Sequence, residues 1–237
     1  MRSVSSTTGG RPVRILTALL VAVGALALAA GPASAHPQTV AQQEYAVRGG
    51  DLLYGDHGGS CTVGFNAGAA GGARYGILLS SCAGGASTWY ADPARTVVVG
   101  TSSGSGFPNS GTATLVRYTN SEVSYPGEVA LGDGTTVDIT GSGSPYVGER
   151  VCHPGRTTGL RCGTVQALNV TVHFPDDIVH GLFRATDCAA PGDVGAPSFD
   201  GGRALGIVVG GSSCSAGGSA FHLPVAEVLN AYGLTVY

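Results

Sequence analysis

The segment PGDVGAP, Pro191 to Pro197, decides the reading of this chain. With serine in place of Val194 it would approach Gly-Asp-Ser-Gly-Gly-Pro. That segment sets a nucleophilic hydroxyl on a tight turn and aims two backbone N–H groups at a developing oxyanion. The two donors here would be Gly192 and Val194, so the oxyanion hole is expected to outlast the nucleophile. Ala196 stands where such a segment carries its second glycine, and a backbone angle reserved for glycine would resist alanine.

Around this segment the composition describes an exported β-protein. Arg2, Arg11 and Arg14 precede an apolar run from Ile15 to Ala30, and Ala33-Ser34-Ala35 follows with small residues, the pattern of a signal peptide over residues 1–35. Residues 36–47 read as a short polar leader, and 48–237 as one folded domain. The run is too short for a membrane span, and no later segment reaches about 18 consecutive apolar residues. Three of the twelve arginines leave with the signal peptide and there is no lysine. Nine arginines then face fifteen acidic residues, a net charge of about −6. That balance argues against nucleic acid and against anionic membranes as partners. Six cysteines in an exported chain imply three disulfides, for which spacing alone leaves fifteen pairings open. Without a Cys-x-x-Cys spacing they do not suggest a metal, and no cofactor is expected.

Short runs rich in β-branched and aromatic residues alternate with Gly, Ser, Asn and Asp along the chain. Cys61–Phe65, Arg74–Leu79, Thr96–Thr101, Thr112–Tyr118, Thr135–Thr140, Gly163–Phe174 and Ala204–Val209 read as antiparallel strands, with Asp133-Gly134 as a two-residue turn. Such a series builds a sandwich or a barrel. Only the C-terminus reads as a helix: Pro224 opens it, Val225, Val228, Leu229 and Tyr232 share one face, and Gly233 closes it.

Together with PGDVGAP, the segments RGGDLLYG (from Arg48), CTVGFNA (Cys61), TVVVGTSSGSGFPN (Thr96), VRYTN (Val116), GRTTGLRCGTVQALNVTV (Gly155) and AYGLTVY (Ala231) resemble the chymotrypsin-like serine proteases of the bacterial streptogrisin and α-lytic type. The resemblance runs from about Val47 to Tyr237. It implies an all-β fold of two six-stranded antiparallel barrels with a C-terminal α-helix and a cleft between the barrels. It also implies the disulfides Cys61–Cys82, Cys152–Cys162 and Cys188–Cys214.

Carried over position by position, the resemblance finds no intact triad. The catalytic histidine of the family precedes the second cysteine, where this chain has Ser81 in LLSSC. The aspartate precedes a strand like VRYTN, at a place held here by Thr112, or by Gly111 in the other register. The nucleophile position is Val194, and Val209 replaces a serine whose hydroxyl supports the aspartate. His222 falls at a wall or floor of the specificity pocket, where it could meet an acidic group. His153 stands where relatives place an arginine, with Asp193 as its expected partner. The cleft is assigned to Val209, Gly210, Gly211 and His222.

These readings imply a secreted, monomeric serine-endopeptidase homologue without catalysis. Its retained cleft would bind a peptide or protein, a protease inhibitor among the candidates, by strand addition along Val209-Gly210-Gly211. With only residues 36–47 between signal peptide and domain, the chain is expected to fold without a pro-region. The alternatives are hydrolysis by unorthodox residues, and a relic without a ligand.

Overall fold

The computed structural model describes residues 45–105, 112–175 and 177–237. The signal-peptide segment, nearly all of the leader and Gly111 lie outside them.

The first barrel is built from β1 (Leu52–Gly55), β2 (Ser60–Thr62), β3 (Phe65–Ala69), β4 (Arg74–Leu79), β5 (Thr88–Tyr90), β6 (Val98–Ser105) and β7 (Ala113–Tyr118). Strands β2 and β3 are two parts of one bent segment. The first part pairs with β1 and the second with β4, so the order β3-β4-β7-β6-β5-β1-β2 closes into a six-stranded ring. The sequence reads Cys61–Phe65 as one strand, and the bend falls at Val63-Gly64. There the Val63 and Gly64 amides go to Asp51 and Ile77. A Cβ on Gly64 would come within 2.5 Å of the buried Ile207 side chain, so any larger residue would have to displace it.

After a small hairpin of β8 (Glu128–Ala130) and β9 (Thr136–Asp138), and the short β10 (Gly141–Ser142), the second ring follows. It consists of β11 (Arg150–Gly155), β12 (Gly159–His173), β13 (Ile178–Ala185), β14 (Pro197–Asp200), β15 (Arg203–Gly211) and β16 (Ala220–Pro224), closed by the pairing of β15 with β16. The helix expected at the C-terminus spans Val225–Tyr232, with Gly233 in the left-handed conformation behind it. Strand β17 (Leu234–Val236) then returns to pair with β3. The expected all-β architecture of two six-stranded barrels with one C-terminal helix is therefore present.

Both faces of the central strands are buried, which explains their continuous apolar runs. Along β4 the side chains alternate. Ile77 and Leu79 join the largest core with Phe65, Leu115, Ile207, Leu223 and Val228, while Leu78 joins Leu53, Val63, Trp89 and Val116. A third cluster, Val151, Val165, Phe183, Ala185 and Leu205, belongs to the second ring.

Two local readings differ from the structure. Leu131 donates its N–H to the Thr135 carbonyl, so Gly132-Asp133-Gly134 forms a three-residue loop rather than a two-residue turn. Strand β6 starts at Val98 because the Asp92 carboxylate takes the amides of Thr96 and Val97 and the Thr96 hydroxyl, holding those residues in the preceding turn.

The three disulfides join Cys61 to Cys82, Cys152 to Cys162 and Cys188 to Cys214. The first ties β2 to the helical turn Ser80–Ala83, and the last ties the loop before Pro191 to the segment after β15. Both therefore brace the region where the candidate positions meet.

Candidate functional site

Strand β4 ends in the helical turn Ser80–Ala83, which leaves Ser81 exposed at the rim of the first barrel. Ser80 donates its N–H to the Thr112 carbonyl (2.8 Å), and its hydroxyl lies 2.9 Å from that of Thr114. The positions expected for base and orienter are thus neighbours at the ends of β4 and β7. From the second barrel, a short 3₁₀ turn over Pro191–Asp193 presents Val194. Ser81 and Val194 line one cavity of about 520 Å³ with Leu52, Ser60, Thr62, Cys82, Arg156, Thr157, Pro191 and Gly192. No imidazole or carboxylate is among these residues. At the nucleophile position stands an isopropyl group, partly packed against the main core.

The expected oxyanion hole is not open. The Val194 N–H donates to the Pro191 carbonyl at 3.5 Å, and the Asp193 N–H donates to Ala190 at 2.9 Å. In a planar trans peptide the C=O and the following N–H point in opposite directions. A Pro191 carbonyl aimed at Val194 therefore turns the Gly192 N–H away, and the two donors do not converge on one point. An incoming oxyanion would have to displace Pro191 O. Ala196 is not the cause: the left-handed position is Gly195, with φ of +90°, and Ala196 lies outside the positive-φ region.

Asp193 stays in its structural role. Its carboxylate is 1% exposed and accepts from the amides of Thr157 (2.8 Å), Thr158 (3.3 Å) and Ala190 (2.8 Å) and from the Thr158 hydroxyl (2.8 Å). Burial pushes this carboxyl up, but the four donors outweigh it and hold it below its ordinary value. No place is left for His153, so the expected His153–Asp193 pair is corrected.

His153 pairs instead with Asp187, Nδ1 to Oδ2 at 2.7 Å. His222 shares the same carboxylate, Nε2 to Oδ1 at 3.2 Å, and places its Nδ1 2.7 Å from the Ser198 hydroxyl. Both imidazoles and Ser198 are 0% exposed, Asp187 is 1% exposed, and Phe183 stacks on His222 with ring centroids 4.6 Å apart. Desolvation raises the Asp187 carboxyl, but the hydrogen bonds from His153 and His222 overcome it and hold the group well below the usual carboxylate range. With Asp187 ionised, it accepts from His153 Nδ1–H and His222 Nε2–H. In that tautomer the Ser198 hydroxyl donates to His222 Nδ1. His153 Nε2 has no partner, which is tolerable as a bare lone pair and costly as an N–H donor.

Ser198, His222 and Asp187 thus form a hydrogen-bonded chain with the atom types of a catalytic triad, inside the second barrel and closed to solvent. The assignment of His222 to the cleft is accordingly corrected: it is a core residue.

The remaining cleft positions are uneven. Val209 is half-buried, Gly210 is buried under Phe174, and Gly211 is exposed. A Cβ on Gly211 would meet that of Ala189 at 2.9 Å. Ala189 packs with Ala196, Val208 and Ala220 in one buried cluster. The space beside the Val209–Gly211 edge is therefore filled by the protein's own small side chains.

The fold has close parallels among known proteins. The chain is 42% identical to Serine protease 2 of Streptomyces fradiae over 175 residues, 73% of this chain and 99% of that protein. The chain belongs to the streptogrisin-type, chymotrypsin-like serine protease family. Glutamyl endopeptidase 2 of Streptomyces griseus is also 42% identical, over 81% of this chain and 100% of its own length. Of Streptogrisin-D from the same organism, 37% identical, the chain spans 57%. Among solved structures, the α-lytic protease homolog N4 superposes with a TM-score of 0.74 at 46% identity, covering 81% of this chain and 100% of that one. No protein-family profile matches the chain.

Within this family the sequence-derived positions separate into two groups. Ser81, Gly192 and Val194 meet at one cavity with Thr112 close behind Ser81, whereas His153 and His222 withdraw into the core. Two residues of the buried chain, Asp187 and Ser198, were not singled out from sequence, because neither lies in a periodic pattern or a recognisable spacing. Arg156 of the cavity was also missed. Its signal was a lone cation inside GRTTG in a chain poor in arginine.

Proposed function

We propose that this protein is a secreted, non-catalytic member of the serine protease family that binds an extended peptide or protein segment at the cavity between its barrels. The observation that carries the reading is the meeting of Ser81 and Val194 across a cavity with neither an imidazole nor a carboxylate among its described lining residues. A serine hydroxyl without a base is a poor nucleophile at neutral pH. The engagement of Val194 N–H by Pro191 supports the same reading, since it withdraws the electrostatic stabilisation that outlives the loss of a triad. Export is supported by the N-terminal sequence pattern and by three disulfides, and a protease inhibitor is one partner of suitable shape. The test is turnover of a broad peptide library by purified mature protein, followed by mass spectrometry. The reading expects no cleavage above buffer, and reproducible cleavage at defined sites that co-purifies with the protein would sink it.

A second reading has one observation in its favour. Ser198, His222 and Asp187 carry the donor–acceptor order of a Ser-His-Asp relay. Acylation of Ser198 would require the second barrel to open enough to admit a peptide carbonyl to a hydroxyl that is 0% exposed. Replacing Ser198 with alanine separates the readings, because any hydrolysis that depends on this relay disappears with it.

A further inference from the structure

The cavity's lining has a charge character that the proposed peptide-binding role does not itself specify. Of its ten residues, Arg156 alone is ionisable, and Ser60, Thr62, Ser81 and Thr157 add four hydroxyls. Among the described residues three other arginines are paired with a carboxylate, Arg48 with Glu128 at 2.7 Å, Arg150 with Asp200 at 3.5 Å, and Arg203 with Glu149. Arg156 is exposed and has no ion pair with any described residue. Asp193, which accepts from the amides of Thr157 and Thr158, is 1% exposed and filled by four donors. Arg156 and Leu52 also line an adjoining cavity of about 460 Å³, where Arg48 and Asp51 stand with them.

From this we infer that the cavity selects a carboxylate-bearing peptide, held by Arg156 with hydroxyl donors from Ser81 and its neighbours. A guanidinium presents paired N–H donors that match the two oxygens of a carboxylate, and hydroxyls can donate to the remaining lone pairs. An amide or an alkyl side chain offers the guanidinium no counter-charge. On a mature surface of net charge about −6, an exposed guanidinium in a concave site whose described lining holds no carboxylate attracts an acidic ligand. The carboxylate could come from an acidic side chain or from a peptide C-terminus. This inference rests on the peptide-binding reading and deepens it.

The experiment compares three probes by titration calorimetry at low salt: acetyl-Ala-Ala-Glu-amide, acetyl-Ala-Ala-Gln-amide and acetyl-Ala-Ala-Gln with a free C-terminus. The wild-type mature protein is compared with Arg156→Gln and Arg156→Lys, and thermal melts verify that the variants fold. At least one carboxylate probe binds about five- to tenfold more tightly than the neutral amide, a range set by an accessible charge-assisted pair. That preference disappears in Arg156→Gln, survives in part in Arg156→Lys, and shrinks with added salt. The Glu-amide and free-acid probes tell side-chain from terminal recognition. Equal binding of the neutral amide, or a preference that persists in Arg156→Gln, overturns the inference and leaves peptide binding standing. Failure of all three probes to bind removes both.

Discussion

The amide of Val194 is held by the carbonyl of Pro191, 3.5 Å away, in the 3₁₀ turn that follows Ala190. The contact places a carbonyl oxygen where a reacting oxyanion would have to sit. The departure from a catalytic arrangement therefore includes the backbone as well as the side chains. A backbone set to stabilise a tetrahedral intermediate has to present its donors free, and here one is spent and the other is turned away.

Restoring the side chains alone is consequently insufficient. The variant carrying Ser81→His, Thr112→Asp, Val194→Ser and Val209→Ser should fold and remain at least about 100-fold less active than an intact relative, since each lost oxyanion donor costs about 10²–10³ in rate. Steady-state hydrolysis of a chromogenic peptide measures this. Full activity would mean that the Pro191 peptide reorients readily once a serine is present.

Asp187 should be the most sensitive polar residue of the second barrel. Asp187→Ala leaves two fully buried imidazoles without their shared acceptor, and breaking such a buried pair costs about 3–5 kcal/mol. A drop in thermal midpoint of roughly 6–20 °C is expected for a domain of this size. A change of less than about 2 °C would show that the imidazoles find other partners.

Stability should fall in acid in a way that depends on this carboxylate. The folded-state pKa values of Asp187 and Asp193 are both lowered. Their contribution is therefore present above the ordinary carboxylate range and is lost as pH falls below about 4 toward the folded values. Urea unfolding from pH 7 to pH 2.5 follows the loss. Asp187→Asn should flatten the slope in the acid limb, because only the ionised carboxylate rewards both histidines.

Ser198→Ala tests the buried relay from the other side. It removes the partner of His222 Nδ1 found among the described residues and should cost about 1–3 kcal/mol, the penalty for an unsatisfied buried polar atom. Denaturant midpoints give this number, and the peptide-binding affinity should not move.

The fold was legible in the sequence because its landmarks are local. Strand β4 was read to the residue, the helix from Val225 was read from its apolar face and closing Gly233, and the disulfides followed from the resemblance. The departures from the family's motifs at Ser81 and Val194 were legible for the same reason: Ser81 is anchored by Cys82, and Val194 by Gly192 and Asp193. The buried chain was not legible. His153, Asp187, Ser198 and His222 come from four different strands or loops of the second barrel, and only the closed ring places them together. The direction of the Pro191 carbonyl was also beyond reach, since one peptide plane can face either way without altering a letter. His222 shows the cost of position-by-position transfer. Its place along the strand was known, but its side chain is fully buried, stacked on Phe183 and bonded to Asp187 and Ser198.

The central claim, that this serine protease homologue binds without cleaving, meets its most direct test in labelling with a fluorophosphonate probe, read by intact-protein mass spectrometry. The mature wild-type protein should stay at its unmodified mass under conditions that label an active relative completely. A stoichiometric adduct on Ser198, Ser81 or any other serine would contradict the account.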